Sequence, residues 1–180
     1  MKITRIKSPP SKHTFTIKPI REILSRYVGD GKGWVDPFAG ENSPAEHTND
    51  LNPDKPTKHH MKSVEFCEML DGVYEGILLD PPYSPRQIKE CYNGIGLKCS
   101  STDTQNAKLY GDTRKAIANK IKGGGLAISF GWNSTGFGKS LGFEVIEILL
   151  VNHSSAHNDT LVTVERKMNN TLFNEKAREE

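Results

Sequence analysis

The tetrapeptide Asp80-Pro81-Pro82-Tyr83 combines residue types that suit the binding of a planar ligand carrying an amine. The two prolines donate no backbone N–H and have fixed φ angles, so their carbonyl oxygens are free acceptors held in set directions. The Asp80 carboxylate adds a side-chain acceptor, and the Tyr83 ring offers a flat face for stacking. Two acceptors could hold the hydrogens of an exocyclic amine while its ring lies on Tyr83. The same residues would also suit a simple strand terminator in which Asp80 caps the next helix.

Three carboxylates, Asp36, Asp50 and Asp80, stand at or near the ends of predicted strands. Two of these strands are predicted from apolar runs that end at the acid, over residues 33–36 and 76–80, and the stretch 46–50 could form a short strand between them. In open sheets of parallel strands, ligands bind beyond the carboxyl ends of the strands, at the point where the strand order reverses. If these strands are parallel, the three carboxylates converge on one edge of the sheet, which predicts a binding site there.

Alternating helix and strand patterns must position these residues. Apolar side chains at helical spacing predict helices over 19–28 and 64–70, and a third helix near 113–121 follows a predicted loop. Glycines 123–125 predict a turn into a strand over 126–130, and the last two strands, 143–151 and 160–165, predict a hairpin. The pattern is typical of an α/β sandwich with a mostly parallel sheet and one antiparallel edge strand near the C-terminus.

Four segments in one order resemble the S-adenosylmethionine-dependent amino-methyltransferases, especially the DNA adenine-N6 methyltransferases. The family's catalytic motif, Asp/Asn/Ser-Pro-Pro-aromatic, is matched by Asp80-Pro81-Pro82-Tyr83 after an apolar strand. Its cofactor motif, an acid followed by Pro-Phe-x-Gly-x-Gly, is similar to Asp36-Pro37-Phe38-Ala39-Gly40. The other two segments are Phe15-Thr16-Ile17-Lys18-Pro19-Ile20 and Asp50-Leu51-Asn52-Pro53. The resemblance spans roughly residues 13–166, and the four segments together are far more specific than either main motif alone.

The resemblance implies a Rossmann-like class I methyltransferase sandwich that binds S-adenosyl-L-methionine. Asp36 and Phe38 correspond to positions that line the methionine and sulfonium end of this cofactor, and Asp50 to the acid that accepts from the ribose hydroxyls. Gly40 would let the backbone approach the cofactor closely. The cofactor-binding set implied by the resemblance is Phe15, Lys18, Asp36, Pro37, Phe38, Ala39, Gly40, Asp50 and Asn52.

The catalytic set implied by the resemblance is the tetrapeptide Asp80, Pro81, Pro82 and Tyr83. Asp80 and the Pro81 carbonyl would accept from the target amine, and Tyr83 would stack on a base taken out of its helix. The implied reaction is direct methyl transfer to the N6 amine of adenine in DNA, with the positive charge on nitrogen stabilised by preorganised acceptors. No metal is expected, because no His or Cys set has zinc-like spacing.

Three departures from the family pattern stand out. Asn42 replaces the second glycine of the cofactor motif. Lys62 or Ser63 stands where the family often has an acid that contacts the cofactor's adenine, so that contact is left open between Ser63 and Val64. No separate target-recognition domain is visible. Cys99 lacks the Pro-Cys setting of cytosine-C5 methyltransferases and is interpreted as structural or incidental.

The methyltransferase domain is predicted over 15–167, between an N-terminal arm (1–14) and a polar tail (168–180). Residues 84–122 carry a net charge of +5, although the whole chain carries only +2. We therefore expect residues 84–115 to face the target, with phosphate contacts from Arg86, Lys89 and Lys98. Alternatively, these basic residues form a solvated helix face, or the nucleic-acid surface lies on the basic N-terminal arm, which carries Lys2, Arg5, Lys7 and Lys12.

The expected partner is DNA, with RNA, a homodimer or a second specificity subunit left open. The chain has three cysteines, no signal-peptide pattern and no apolar run near the ~20 residues of a membrane span. We therefore expect a cytoplasmic protein. The resemblance, with the small size of the chain, implies a phage-like member of the family in a prokaryote or a phage-infected cell. The functional alternatives are cytosine-N4, RNA adenine-N6 or protein glutamine-amide methylation, and a non-catalytic nucleic-acid-binding subunit of the same fold. Asp80 favours DNA adenine, because the other enzyme families more often begin the tetrapeptide with Ser or Asn.

Overall fold

The computed structural model describes residues 1–98, 106–154 and 157–169. The strands are β1 (Lys2–Lys7), β2 (Trp34–Asp36), β3 (His47–Thr48), β4 (Tyr74–Leu79), β5 (Ile121–Gly131), β6 (Phe143–Asn152) and β7 (Thr160–Lys167). The helices are α1 (Lys18–Tyr27), α2 (Ser63–Met69), α3 (Pro85–Gly94) and α4 (Asn106–Ala118), with short 3₁₀ turns at Thr14–Thr16 and Lys139–Leu141. The strands form a seven-stranded sheet in the order β1-β6-β7-β5-β4-β2-β3.

The strand order reverses between β2 and β4. Strand β2 pairs in parallel with β3 on one side and with β4 on the other. The chain therefore adds β3 on one side of β2 and then crosses over to add β4 and β5 on the other side. The crevice at such a reversal is where open α/β sheets bind their ligands. The predicted α/β sandwich with a mostly parallel sheet is confirmed, and its reversal lies between the strands that carry Asp36 and Asp80.

The C-terminal hairpin is also confirmed, although its place in the sheet differs from the prediction. Strand β7 pairs antiparallel with both β5 and β6 and therefore lies inside the sheet rather than at its edge. The edge is occupied by β1, which pairs in parallel with β6. The N-terminal arm predicted over residues 1–14 is thus wrong for Lys2–Lys7. This stretch has only two apolar residues, Ile3 and Ile6, which are three apart and do not follow the two-residue period of a strand, so it gives little local signal. The backbone groups of β6 offer it a partner.

Two apolar cores lie on opposite faces of the sheet. On one face, Ile20, Ile23 and Leu24 of α1 pack with Leu78 of β4. On the other face, residues of α2 and α4 pack with Ile77 and Leu79 of β4; these helix residues are Phe66, Cys67, Ile117 and Ala118. Burial of β4 on both faces explains its unbroken apolar run. Among the described residues, no helix is both long and apolar enough to cross a bilayer.

The residues after Asp80-Pro81-Pro82-Tyr83 form a helix where a loop was predicted. Helix α3 begins at Pro85, and the Ser84 side chain caps it by accepting the backbone N–H of Gln87 at 3.2 Å. Proline at the first helical position and serine at the N-cap are both favourable for a helix start. Helix α4 begins at Asn106, earlier than the predicted 113. Residues 99–105, which include Cys99, and the tail from 170 to 180 lie outside the described residues.

The glycine triplet at 123–125 lies within β5 rather than in a turn before it. The pairing of β5 with β4 shifts register there, from Tyr74 opposite Ile121 to Gly76 opposite Leu126. The extra residues form a bulge, which glycine tolerates readily. Strand β5 therefore runs to Gly131 and ends beside the carboxyl end of β4.

Candidate active site

A cavity of about 730 Å³ opens at the carboxyl ends of the parallel strands, where the strand order reverses. All four residues of the tetrapeptide, Asp80 to Tyr83, line its wall. From the predicted cofactor-binding set, Pro37 and Phe38 after β2 and Asp50 after β3 line it as well. The structure thus brings residues of both sequence motifs, together with Asp50 after β3, to one cavity.

Asp80 is held in a hydrogen-bonded group at the cavity wall. The Tyr83 hydroxyl donates to its Oδ1, and the Thr14 hydroxyl hydrogen-bonds to it as well. Burial raises the pKa of Asp80 to about 6, while the bonds from Tyr83 and Thr14 act in the opposite direction. Asp80 is therefore mostly ionised at neutral pH and can accept hydrogen bonds from a ligand amine.

The first turn of α3 holds the backbone of the tetrapeptide. The Gln87 Oε1 accepts the backbone N–H of Tyr83 at 2.6 Å, while the backbone N–H of Gln87 donates to Ser84. This exchange resembles a capping box, in which a serine and a glutamine three residues later satisfy free N–H groups at a helix start. The sequence Ser84-Pro85-Arg86-Gln87 contains this pattern, so the hydrogen bonds that hold the start of α3 could be predicted from it.

Asp36 lies beneath the cavity rather than on its wall. It is fully buried; its Oδ1 accepts the N–H of Phe38 at 2.9 Å, and its Oδ2 accepts the Ser43 hydroxyl at 2.6 Å. Burial raises the pKa of Asp36 to about 8, with the hydrogen bonds opposing the shift and the charges of Asp80 and Asp50 adding to it. Asp36 is therefore mostly protonated at pH 7 and holds the loop that follows β2. Ala39, in the same loop, is also buried.

Asp50 connects that loop to the next one. Its carboxylate accepts the backbone N–H of Gly40 at 3.1 Å and of Asn52 at 2.8 Å. Gly40 has a φ of +56°, in the left-handed region that glycine adopts without steric penalty. The Asn52 side chain accepts the N–H of Asp54 and shapes the following turn. Asp50 lines the cavity, whereas Gly40 and Asn52 do not line it and instead donate their backbone N–H groups to the Asp50 carboxylate.

The N-terminal segment reaches the cavity through Thr14. Phe15 is buried in the core on the α1 side, with its ring centroid 5.1 Å from that of Phe130. Lys18 is exposed at the start of α1. Neither residue lines the cavity, but Thr14 does and hydrogen-bonds to both Asp80 and Tyr83.

The three predicted phosphate contacts lie outside the cavity. Arg86, Lys89 and Lys98 are all exposed, the first two on α3. Arg86 pairs with Glu90 one helical turn later, at 2.8 Å. Such an exposed pair contributes little to stability. Their role in nucleic-acid binding stays a prediction.

Comparison with solved structures identifies the architecture. TrmN from Thermus thermophilus superposes with a TM-score of 0.56 at 15% identity, over 84% of this chain and 49% of its own. The 1,6-didemethyltoxoflavin-N1-methyltransferase of Burkholderia thailandensis, with bound 1,6-didemethyltoxoflavin and S-adenosylhomocysteine, gives 0.56 at 14% identity, over 84% and 78%. This chain has the Rossmann-like methyltransferase fold. It spans about half the length of TrmN, and its sequence matches no family model and no curated protein.

Within this methyltransferase fold, helix residues that the motifs did not indicate complete the cavity. They include Met61 and Glu65 around the start of α2, Ile88 and Tyr92 of α3, and Leu109 of α4. These residues lie far apart in sequence, so no local pattern shows that they share one cavity. Ser63 and Val64, the two alternatives for a cofactor adenine contact, both line it. The hydroxyl of Ser63 already bonds to Thr113 at 2.9 Å, and the choice stays open.

Acidic groups outnumber basic ones on the cavity wall. Among the described residues of the wall there are five carboxyl groups, one of which pairs with Arg86, and two lysines; the acids are Asp50, Glu65, Asp80, Glu90 and Asp112, and the lysines are Lys62 and Lys108. A wall of one dominant sign favours ligands of the opposite sign. The cavity is therefore suited to a ligand that carries positive charge.

We expect Asp36→Asn to weaken the pH dependence of stability in the ligand-free protein. The folded-state pKa of Asp36, about 8, lies above its ordinary value of 3.8. Its contribution to stability is therefore fully present below pH 3.8 and is lost as the pH rises through 8, at about 1.4 kcal/mol per pH unit within that window. The amide oxygen can accept the N–H of Phe38 and the amide nitrogen can donate to the Ser43 hydroxyl oxygen, so both contacts are kept without a titrating group.

Urea unfolding at pH 5, 6, 7 and 8 measures this effect. The exposed Asp54→Asn variant is the control and should keep the wild-type slope. Equal slopes for wild type and Asp36→Asn would show that the buried carboxyl does not hold its proton in the folded state.

Proposed function

We propose that this protein transfers a methyl group from S-adenosyl-L-methionine to the exocyclic N6 amine of adenine in DNA. The observation that carries the proposal is the position of Asp80-Pro81-Pro82-Tyr83 on the cavity wall, where the strand order of a methyltransferase-type sheet reverses. The 1,6-didemethyltoxoflavin-N1-methyltransferase, which shares the fold, contains 1,6-didemethyltoxoflavin and S-adenosylhomocysteine. This likeness supports both the cofactor and a nitrogen atom as the methyl acceptor.

The residues present fit S-adenosyl-L-methionine, which when bound supplies a methyl group activated by a positively charged sulfonium. The acidic wall favours that charge. Asp50, whose carboxylate is oriented by two backbone N–H groups, would accept from the ribose hydroxyls. Pro37 and Phe38 would contact the methionine end, and Ser63 or Val64 the adenine.

Asp80 and the Pro81 carbonyl would hold the target amine. An adenine amine is a weak nucleophile, because its lone pair is delocalised into the ring. Acceptors on its hydrogens favour a tetrahedral nitrogen and stabilise the positive charge that develops during transfer. The Tyr83 hydroxyl, which occupies one oxygen of Asp80 in the structure, must share or release that oxygen when the amine binds.

Incubation with radiolabelled S-adenosyl-L-methionine and DNA, RNA or protein, followed by nucleoside and amino-acid analysis, tests the proposal. We expect label in N6-methyldeoxyadenosine. Label in N4-methyldeoxycytidine, N6-methyladenosine or methylglutamine would instead select one of the alternatives. An intact fold that binds nucleic acid but not the cofactor would indicate the non-catalytic subunit.

Asp80→Ala should lower the transfer rate by about 10²–10³, the usual cost of removing one preorganised hydrogen-bonding group. Asp80→Asn, which keeps an acceptor oxygen, should lose less. Cofactor affinity, measured by calorimetry, should stay close to wild type in both variants. Full activity of Asp80→Ala would contradict the assignment of Asp80 as the acceptor of the amine.

We expect Tyr83→Phe to retain methyl transfer at high pH. As the pH falls, this variant should lose methyl transfer at a higher pH than the wild-type protein does. The hydroxyl that the variant lacks donates to Asp80 and lowers the pKa of that carboxyl, which burial raises to about 6 even with this bond in place. Without this bond the pKa rises further, and the ionised acceptor is lost earlier as the pH falls. Tyr83→Ala, which also removes the stacking face, should be slow at every pH. Profiles of kcat/KM from pH 5 to 9, which report the pKa values of the free enzyme, compare the three proteins. An unmoved acid limb in Tyr83→Phe would contradict the role of the bond.

Neutralising Arg86, Lys89 and Lys98 together to glutamine should weaken nucleic-acid binding and flatten its salt dependence. Each lost phosphate contact lowers the slope of log affinity against log salt by about 0.9 for duplex DNA. Cofactor affinity should be unchanged, because none of the three lines the cavity. The matched control neutralises Lys2, Arg5 and Lys7 on β1. A larger effect in that control would move the nucleic-acid surface to the N-terminal strand.

A further inference from the structure

A second aromatic residue, Trp132, lies beside the catalytic tetrapeptide. It follows the last residue of β5, Gly131, at the same edge of the sheet as Asp80. Its ring centroid lies 5.6 Å from that of Tyr83, with the two ring planes inclined at 57°. Trp132 is 45% exposed, whereas Trp34, the other tryptophan of the chain, is 4% exposed in the core. The exposed indole thus borders the residue to which substrate stacking is assigned.

The loop that carries Trp132 is anchored rather than simply exposed. Glu165 of β7, which is fully buried, accepts the backbone N–H groups of Phe137 at 2.6 Å and Gly138 at 2.8 Å. Arg114 of α4 donates to the carbonyl of Gly136 in the same loop. A buried carboxylate is tolerated only where such bonds satisfy it, so this one holds the loop in a set conformation.

The outer part of the loop, residues 132–135, is exposed. The Asn133 side chain closes a turn there by accepting the N–H of Thr135 at 2.9 Å. The chain therefore leaves β5, presents the indole at the surface and returns to the anchor within a few residues. This arrangement limits the positions that the indole can take next to Tyr83.

The spacing of the two rings determines what they could bind. Aromatic rings in direct contact have centroids about 4.5–7 Å apart, so a 5.6 Å separation leaves no space for a base between them. Two inclined rings form a corner instead. A planar ring that lies on Tyr83 would meet Trp132 along one side, which adds contact area and restricts how the ring can turn.

We infer that Trp132 is a substrate-binding residue, which with Tyr83 forms an aromatic corner for a nucleobase of the nucleic acid. The substrate class in this inference rests on the proposed function. Trp132 does not line the cavity that contains both the proposed cofactor residues and Asp80, and it would meet the base only beside the Tyr83 ring. Its contribution should lie in nucleic-acid affinity and in substrate KM, and not in cofactor affinity.

Trp132→Ala and Trp132→Phe test the inference, with Met69→Ala as a control of similar exposure, 48%, at the end of α2. Binding of a fluorescein-labelled DNA oligonucleotide is measured by anisotropy at several salt concentrations, and cofactor binding by calorimetry. We expect Trp132→Ala to weaken DNA binding about 5- to 100-fold, as for the loss of one stacked base, and Trp132→Phe to recover most of it. The salt slope should not change, because no phosphate contact is removed. Met69→Ala should behave as wild type.

Intrinsic fluorescence gives a second readout. Because Trp34 is buried, DNA should quench the emission of Trp132 in the wild-type protein, and Trp132→Phe should lose this quenching. Wild-type affinity in Trp132→Ala, with DNA still methylated, would overturn the inference and leave the proposed function standing. Loss of cofactor affinity in Trp132→Ala would also overturn it, by showing a structural role. A wild-type protein that binds the cofactor but no nucleic acid would overturn both.

Discussion

The placement of β4 between β2 and β5 is the constraint on which the rest of the site depends. Both faces of β4 are buried, and Gly76 near its start has no space for a side chain: a Cβ there would lie 2.7 Å from the Trp34 ring and from the Leu126 carbonyl oxygen. Trp34 thus packs directly over the backbone of its neighbour and brings β2 into register. Because β4 then ends at Leu79, Asp80 must emerge at the reversal of strand order, beside the loop that begins at Asp36.

The two carboxyl groups at this reversal have different protonation states. Burial raises the pKa of both, to about 8 for Asp36 and about 6 for Asp80. Near neutral pH, Asp36 is mostly neutral and holds the loop after β2, whereas Asp80 is mostly ionised and available as an acceptor. Environments that separate the pKa values of neighbouring acids assign them separate roles. Here one role is structural and the other is the one proposed for the target amine.

Loops and turns, rather than the strands, bring the proposed groups together, and each is held by a specific bond. Gln87 of α3 fixes the backbone of Tyr83, and Asp50 fixes the loop at Gly40. Glu165 fixes the loop that presents Trp132. Only the first of these has a recognisable local pattern, since Ser84 and Gln87 are three residues apart. The others join segments that are distant in sequence, and their partners follow only from the folded chain.

The sequence by itself determined the fold class, the hairpin and the two motifs of the site, because these depend on local patterns: apolar runs, acids at strand ends, and prolines that stop a strand. It did not determine the edge strand Lys2–Lys7, whose mixed polarity becomes a strand only against β6. Nor did it show that Asp36 lies beneath the cavity, that Thr14 rather than Phe15 reaches it, or that Trp132 borders Tyr83. Those facts depend on which side chains meet across strands far apart in the chain, and a single sequence contains no local record of such contacts.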